Sequence, residues 1–408
     1  MSLLQLHGKE SDVVKASELT WDDVVRVGPG TPGGNYLRSF WWPVATSEEL
    51  NDIPVPVDIL GEELVLFRDL SGHVALLERH CAHRRASLEY GRIEERGIRC
   101  AYHGWYYDCQ GAILDRPAEP IKTPSGIGQN WYPVRELGGF FFAYLGPEKE
   151  SPPPLPRYDV LVQEGYRVAE RGDAEGGKAY NCNWLQGVEN TTDTTHLAFL
   201  HGILDSCPTF KAVEGDYGVK IFILAPGAKP DTVRVRKRCT VLPTMNRKSR
   251  EPKSKDPDRL SAPVEQAIWI VPIDDTRCEE MRLTVYSEPP KDKRYHGAFQ
   301  DRARQRERKP YDRRFYGDIT GIVPLEDKAM VESQGAIVDR AREHPGYGDR
   351  AILLLRKMIR EGIADVANGQ KPRGVLQKEL PMIDLDIGFD EYEIDKVPEE
   401  QRDLLAGR

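Results

Sequence analysis

No stretch of this 408-residue chain is apolar for long enough to cross a bilayer. The longest obvious run, F-F-F-A-Y-L at 140–145, falls far short of the ~20 residues a spanning helix needs. The opening MSLLQLHGKESDVV has no basic segment followed by a long apolar one, so no secretory signal is expected and the reading is a cytoplasmic protein. Positive charge is also scarce: 57 Lys and Arg against 65 Asp and Glu leave a formal charge of -8. That argues against a general nucleic-acid or membrane-surface binder, since both need a cationic face. Two basic stretches run against the average, R-V-R-K-R at 234–238 with NRKSREPKSKDPDR behind it, and DRARQRERKPYDRR at 301–314. Their interleaved acids and prolines favour solvated loops, with a docking surface for an acidic redox partner as the alternative. Seven cysteines, an odd and scattered set, make no disulfide framework and fit a reducing compartment. A GxGxxG after a strand and a further Cys quartet are both missing, so no dinucleotide-binding or ferredoxin module is expected in this sequence.

Two half-motifs stand out against this background, C-A-H at 81–83 and C-A-Y-H at 100–103. Two thiolates and two imidazoles suit either a structural zinc or a Rieske [2Fe-2S] centre. Zinc modules usually pair like with like, C-x2-C with H-x3-H. Here each loop carries one Cys and one His, the order a Rieske cluster demands, because each loop gives one iron a sulfur and the other a nitrogen. Cys109, Cys182, Cys207, Cys239 and Cys278 lack ligand spacing and read as small buried hydrophobes.

With the flanking strings H-R-R-A-S-L and H-G-W, this segment resembles the Rieske domain of the aromatic-ring-hydroxylating oxygenases. On that resemblance Cys81 and Cys100 bind the inner iron, and His83 and His103 the outer one. Two positions depart from the usual pattern, Ala82 in place of Pro and Arg85 in place of Gly. A Gly at such a point means a backbone at positive φ or a close approach, so Arg85 bears on the shape of the loop. Arg84 and Arg85 read as solvated arginines or as contacts for a docking electron donor.

The organisation of the chain is consistent with α+β architecture in two domains. A short helical pattern and a G-P-G-T-P-G-G turn occupy residues 1–40, a segment expected to pack on the rest. Short apolar runs such as E-L-V-L-F-R and H-V-A-L-L-E make 41–149 a small all-β unit bearing the cluster. E-S-P-P-P-L-P at 150–156 is a stiff linker. From 157 to 408 strands such as V-K-I-F-I-L, T-V-R-V-R-K-R-C-T-V-L and Q-A-I-W-I-V-P-I mix with helices expected at 183–201, 325–344 and 349–367. The last carries an apolar stripe of Ile352, Leu355, Met358, Ile359, Ile363 and Val366, which is core.

The helix expected at 183–201 holds N-W-L-Q-G-V-E-N-T-T-D-T-T-H-L-A-F-L-H, with Asp193, His196 and His201. Two histidines and a carboxylate with open positions form the facial triad of non-haem Fe(II) oxygenases. Five steps of 100° put the two rings about 140° apart on an ideal helix. Both reach one metal only if the helix ends, tightens or bulges between them. By itself D-x2-H-x4-H is a weak signal, since two histidines in a helix are more often structural. Next to the Rieske segment it resembles the mononuclear-iron motif of the same oxygenases, which makes His196 and His201 iron ligands and Asp193 the carboxylate linking a ligand histidine to the cluster. A metal-bound imidazole wants such a carboxylate on its other nitrogen. Asn190 matches a position in some O-demethylating members and is expected near the iron without firm ligation. The third ligand falls in P-L-E-D-K-A-M-V-E-S-Q-G-A-I-V-D-R-A-R-E-H at 324–344, which resembles the late helix of the phthalate dioxygenase branch, with Asp327 in the ligand position and Glu332 in reserve. Glu326 and Asp327 also suit a helix's first turn after Pro324, simply as acids facing its dipole.

The resemblance implies a Rieske domain followed by a helix-grip catalytic domain, in a terminal oxygenase (alpha) subunit built as a homotrimer. It further implies a Rieske [2Fe-2S] cluster, a mononuclear non-haem Fe(II), a small aromatic substrate with O2, and a separate NAD(P)H-dependent reductase, with or without a ferredoxin. Electrons are expected to run from His103 through Asp193 to His196. The substrate expected is a substituted aromatic acid, hydroxylated or dihydroxylated, with aromatic O-demethylation as the alternative. Readings of another class are a Rieske electron-transfer protein without oxygenase activity and a zinc-stabilised binding module. Arg234, Arg236 and Arg238 are candidates for pairing a substrate carboxylate, although strand alternation is expected to turn at least one to solvent.

Overall fold

The computed structural model describes residues 13–120, 126–172, 179–201, 207–227, 229, 231–250, 264–289 and 323–407. The basic stretch at 301–314 lies outside them.

Two short helices, α1 (Trp21–Val25) and α2 (Pro32–Arg38), open the chain. Each begins at a threonine whose hydroxyl accepts a backbone N–H of the first turn, Thr20 from Asp23 and Thr31 from Gly34. Eleven strands follow: β1 (Trp41–Thr46), β2 (Val55–Ile59), β3 (Glu62–Arg68), β4 (Val74–Glu78), β5 (Arg92–Glu94), β6 (Gly97–Arg99), β7 (Tyr106–Tyr107), β8 (Ile113–Asp115), β9 (Trp131–Tyr132), β10 (Val134–Leu137) and β11 (Phe140–Tyr144). They form three small antiparallel sheets, ordered β1-β11-β10, β2-β3-β4-β9 and β5-β6-β7-β8.

Strand alternation sorts these residues between two cores. Leu64 and Leu66 of β3 and Leu76 of β4 face a large core that continues into the second half of the chain. Val65 and Phe67, with Ala75 and Leu77, face a small core shared with Cys81, Cys100, Trp105 and Tyr107. The cysteine loops are therefore rooted in their own hydrophobic cluster.

The linker is held extended by Trp41, whose Nε1 donates to Pro153 O at 2.8 Å. Beyond it come α3 (Asp159–Val162), β12 (Tyr166–Arg171), β13 (Ala179–Tyr180), α4 (Trp184–Thr192), α5 (His196–Phe199), β14 (Thr209–Glu214), β15 (Gly218–Pro226), β16 (Thr232–Val241), β17 (Met245–Arg250), β18 (Val264–Pro272), β19 (Cys278–Tyr286), α6 (Val323–Ser333), α7 (Arg350–Ala367) and β20 (Gly388–Glu393). Among the described residues, nine strands join one antiparallel sheet in the order β12-β19-β18-β17-β16-β15-β14, with β13 on β19 and β20 on β16. Phe140 and Phe142 meet Trp269 edge-on at 5.8 and 6.0 Å, so the core runs unbroken across the linker. Helix α7 buries Leu355, Met358, Ile359 and Ile363. It lies so close to α2 that a Cβ on Gly362 would come within 2.5 Å of the Tyr36 ring.

Several expectations are corrected here. The helix at 183–201 breaks at Asp193, whose extended backbone ends α4 before α5 begins. The helix at 325–344 ends at Ser333, because Gly335 turns left-handed at φ 94 and its N–H takes the carbonyl of Glu332. R-V-R-K-R lies in the strand expected there, β16, and N-R-K-S-R in β17, so neither is a solvated loop: β17 pairs on both sides, and Arg238 and Arg247 are buried. Arg247 is neutralised by Asp159 at 2.8 Å and Glu265 at 2.5 Å. Arg234, Arg236 and Arg238 sit two apart and so share one face, and none is exposed. Cys207 is exposed and Cys109 is half-buried, unlike the other cysteines.

Candidate metal centres

The two Cys-His loops close in the same way. Arg85 N donates to Cys81 O at 2.9 Å and Gly104 N to Cys100 O at 3.1 Å, and both residues are left-handed, at φ 64 and φ 75. Arg85 therefore occupies a corner where glycine is cheaper by about 1–2 kcal/mol. Its guanidinium pairs with Glu78 at the surface, while Arg84 lies over the ring of Tyr102. Both thiols are buried and both imidazoles are partly open to solvent. The His83 and His103 rings stand 4.6 Å apart at 73°, and Trp105 stacks on His83 at 4.8 Å. Burial pushes the Cys81 thiol up, against a hydrogen bond with the Tyr107 hydroxyl at 3.0 Å and in company with the nearby Cys100 sulfur. Burial and the neighbouring His83 and Arg84 push His103 down, toward the neutral form a metal takes. His83 Nδ1 is buried without a hydrogen-bond partner. Two converging sulfurs, two converging rings and that orphaned nitrogen fit a cluster with sulfur at its inner end and imidazole at its outer end.

The second group forms where α4 stops. Asp193 accepts Thr195 N at 2.8 Å and His196 N at 3.2 Å, which fixes the turn into α5. Its Oδ2 is also 3.0 Å from His196 Nδ1. Because α5 ends at Phe199, His201 escapes the 140° problem and its ring comes to 5.1 Å from that of His196. Asp327, from the N-terminal half of α6, completes the group: Oδ1 lies 3.0 Å from His201 Nε2 and 3.7 Å from His196 Nε2. One ligand atom from each of His196, His201 and Asp327 lies within 4.8 Å of the others. Asn190 Nδ2 donates to the same Asp327 oxygen at 3.1 Å. Glu332 is turned elsewhere, accepting Asn181 N at 2.8 Å.

Each histidine has a carboxylate on its far nitrogen. For His196 it is Asp193. For His201 it is the buried Glu326, whose Oε2 sits 2.7 Å from Nδ1, a partnership the sequence reading missed by treating Glu326 only as a first-turn acid. Burial raises Asp193 and Asp327, but their histidine contacts outweigh it and hold both carboxyls below the usual range. Burial lowers His201, yet Asp327 and Glu326 raise it on balance. Two imidazoles, one carboxylate and two orienting carboxylates fit a facial-triad metal with open positions. Helix α4 is braced by Glu189, which takes Arg340 Nη1 at 2.8 Å and Arg356 Nε at 2.6 Å.

Residues 40–125 match the Rieske [2Fe-2S] domain, and residues 292–392 match a domain described as LigXa C-terminal domain like. The chain is 33% identical to the oxygenase subunit of tert-butanol monooxygenase / tert-amyl alcohol desaturase from Aquincola tertiaricarbonis, over 85% of this chain and 77% of the relative. It is 33% identical to phenoxybenzoate dioxygenase subunit alpha from Ectopseudomonas oleovorans, over 86% of each. To the 5,5'-dehydrodivanillate O-demethylase oxygenase subunit from Sphingobium it is 31% identical, over 87% of this chain and 82% of the relative. Among solved structures, Pseudomonas putida CBB5 NdmA with caffeine superposes with a TM-score of 0.63 over 84% of this chain and 96% of the other, at 20% identity, a likeness of fold. With both metal constellations assembled and relatives aligned across both, the chain belongs to the Rieske non-haem iron oxygenases, as a terminal oxygenase (alpha) subunit.

Proposed function

We propose that this oxygenase hydroxylates or dihydroxylates a substituted aromatic acid. In that family the cluster passes on single electrons and the mononuclear iron supplies O2 activation. Cys81, Cys100, His83 and His103 would hold the cluster, and His196, His201 and Asp327 the iron. Asp193 and Glu326 fix the planes of the two imidazoles, and Asp193, whose side chain is 19% exposed, would link His196 to a cluster histidine of a neighbouring chain. Residues 41–149 and 157–408 then serve as donor and acceptor units of a homotrimer. A separate NAD(P)H-dependent reductase would feed the cytoplasmic enzyme. The observation that carries the reading is the convergence of His196, His201 and Asp327 at the end of α4.

O-demethylation of a methoxy-aromatic acid is the second reading. It is favoured by Asn190 beside Asp327 and by the likeness to the 5,5'-dehydrodivanillate O-demethylase subunit. Product analysis with a surrogate reductase, against aromatic acids and methoxy-aromatic acids, decides between them. A phenol or diol supports the first and formaldehyde release the second. Iron near two per chain, with no turnover, would leave only an electron carrier.

A further inference from the structure

The sheet face beneath the triad carries more positive charge than the described residues neutralise. Across the register, Arg238 pairs with Lys248, Lys248 with Gln266, and Gln266 with Thr284. Arg236 and Arg250 lie one step farther along the same two strands, on the same face. The row starts directly under the turn that bears Asn190 and Asp193. Arg238 Nη2 and Asn246 Nδ2 both donate to Thr191 O, at 2.5 and 2.9 Å, and Thr192 Oγ1 lies 3.0 Å from Thr240 Oγ1.

Compensation is sparse. Arg282 on this face is matched by Glu280. Arg236 gives one N–H to Ser249 O and lies over the Phe389 ring, but its buried Nε has no partner. Arg238 Nε and Gln266 Oε1 are likewise buried and unpartnered, and both residues are 5% exposed. Among the described residues, no carboxylate forms an ion pair with Arg236, Arg238, Lys248 or Arg250. Burial, reinforced by mutual repulsion and only partly offset by Asp193 near Arg238 and Glu280 near Arg250, lowers Arg238 to about 9 and Arg250 to about 10; burial and repulsion lower Lys248 well below its ordinary value. Lys248 and Arg250 still keep a sliver of solvent contact.

Uncompensated buried charge is costly, and a single carboxylate on the ligand relieves one row and leaves the other bare. The rows are two residues apart, about 7 Å along the strand. We infer that this face lines the substrate site and is built for an aromatic substrate with two anionic groups, one met by Arg238 and Lys248, the other by Arg236 and Arg250. This rests on the aromatic-acid reading above and adds the number and placement of the acid groups.

The test is calorimetric titration of the oxidised holoenzyme without reductant, so that nothing turns over. Benzoate is compared with the benzenedicarboxylates, naphthoate with the naphthalenedicarboxylates, and each with its methyl ester. At least one dicarboxylate should bind tenfold or more tighter than its parent acid, about 1.4 kcal/mol. Lys248→Met and Arg250→Met should each bring that ratio close to one. Both should fold, because removing a cation lessens repulsion among the rest; cluster absorbance and melting temperature report this. A preference that survives both variants, or no dicarboxylate exceeding its parent, overturns the two-acid inference alone. Esters binding as tightly as the acids would overturn the acid reading as well.

Discussion

Replacing Glu326 separates two accounts of one buried carboxylate. If it merely complements the dipole of α6, its removal costs about 0.3–1 kcal/mol of stability and leaves the metal site alone. If it orients His201, the cost falls on iron. A hydrogen bond to a charged group is worth about 1.5–3 kcal/mol and a neutral one about 0.5–1.5, so Glu326→Gln should lose roughly 1–1.5 kcal/mol, close to tenfold in affinity. Glu326→Ala also strands His201 Nδ1–H, whose side chain is 0% exposed. Its loss should approach 100-fold, the upper range for removing a ligand's orienting partner. The assay is anaerobic competition for Fe(II) between a chromophoric chelator and protein stripped of mononuclear iron, with cluster absorbance as the control for fold. Wild-type affinity in a folded Glu326→Ala protein would refute the reasoning.

Asp193→Asn should retain the cluster and most of the iron, by metal analysis, yet lose most turnover; normal turnover would remove its linking role. Cys100→Ala and His196→Ala chains, each inactive alone, should complement when co-assembled, giving about a quarter of wild-type activity per chain in randomly mixed rings. Mixed rings confirmed by mass spectrometry but inactive would count against transfer between chains. Protein free of mononuclear iron should show a pH signature. His201, raised above 6.5, contributes stability below that pH and loses it as pH rises through its folded value, whereas Asp193 and Asp327, lowered from 3.8, contribute above that pH and lose it as pH falls. The group's stabilisation should therefore be greatest between about 4 and 6.5, seen as the melting-temperature gap to His201→Ala; a gap that widens above pH 7 would contradict the assignment.

The amino-acid sequence by itself nominated the candidate metal donors. Cysteine and histidine are rare enough, and their loop spacing local enough, that Cys81, His83, Cys100 and His103 stand together before any fold is known. The Pro-rich stretch at 150–156, free of helix and strand, and the apolar stripe of α7 were legible for the same reason: their signals span few residues. Arg85 could be flagged as standing where glycine is usual, although its φ of 64 needed coordinates. Tertiary structure alone decided what depends on distant chain segments. Asp327 reaches His201 across 126 residues, and Glu326 differs from a first-turn acid only in what packs against it. Strand β17 was hidden because M-N-R-K-S-R has no apolar alternation; its place in the sheet comes from pairing on both sides and from ion pairs to Asp159 and Glu265. The same pairing turns scattered basic residues into a cationic floor, since register, which no local pattern encodes here, aligns Arg238 with Lys248 beneath the end of α4.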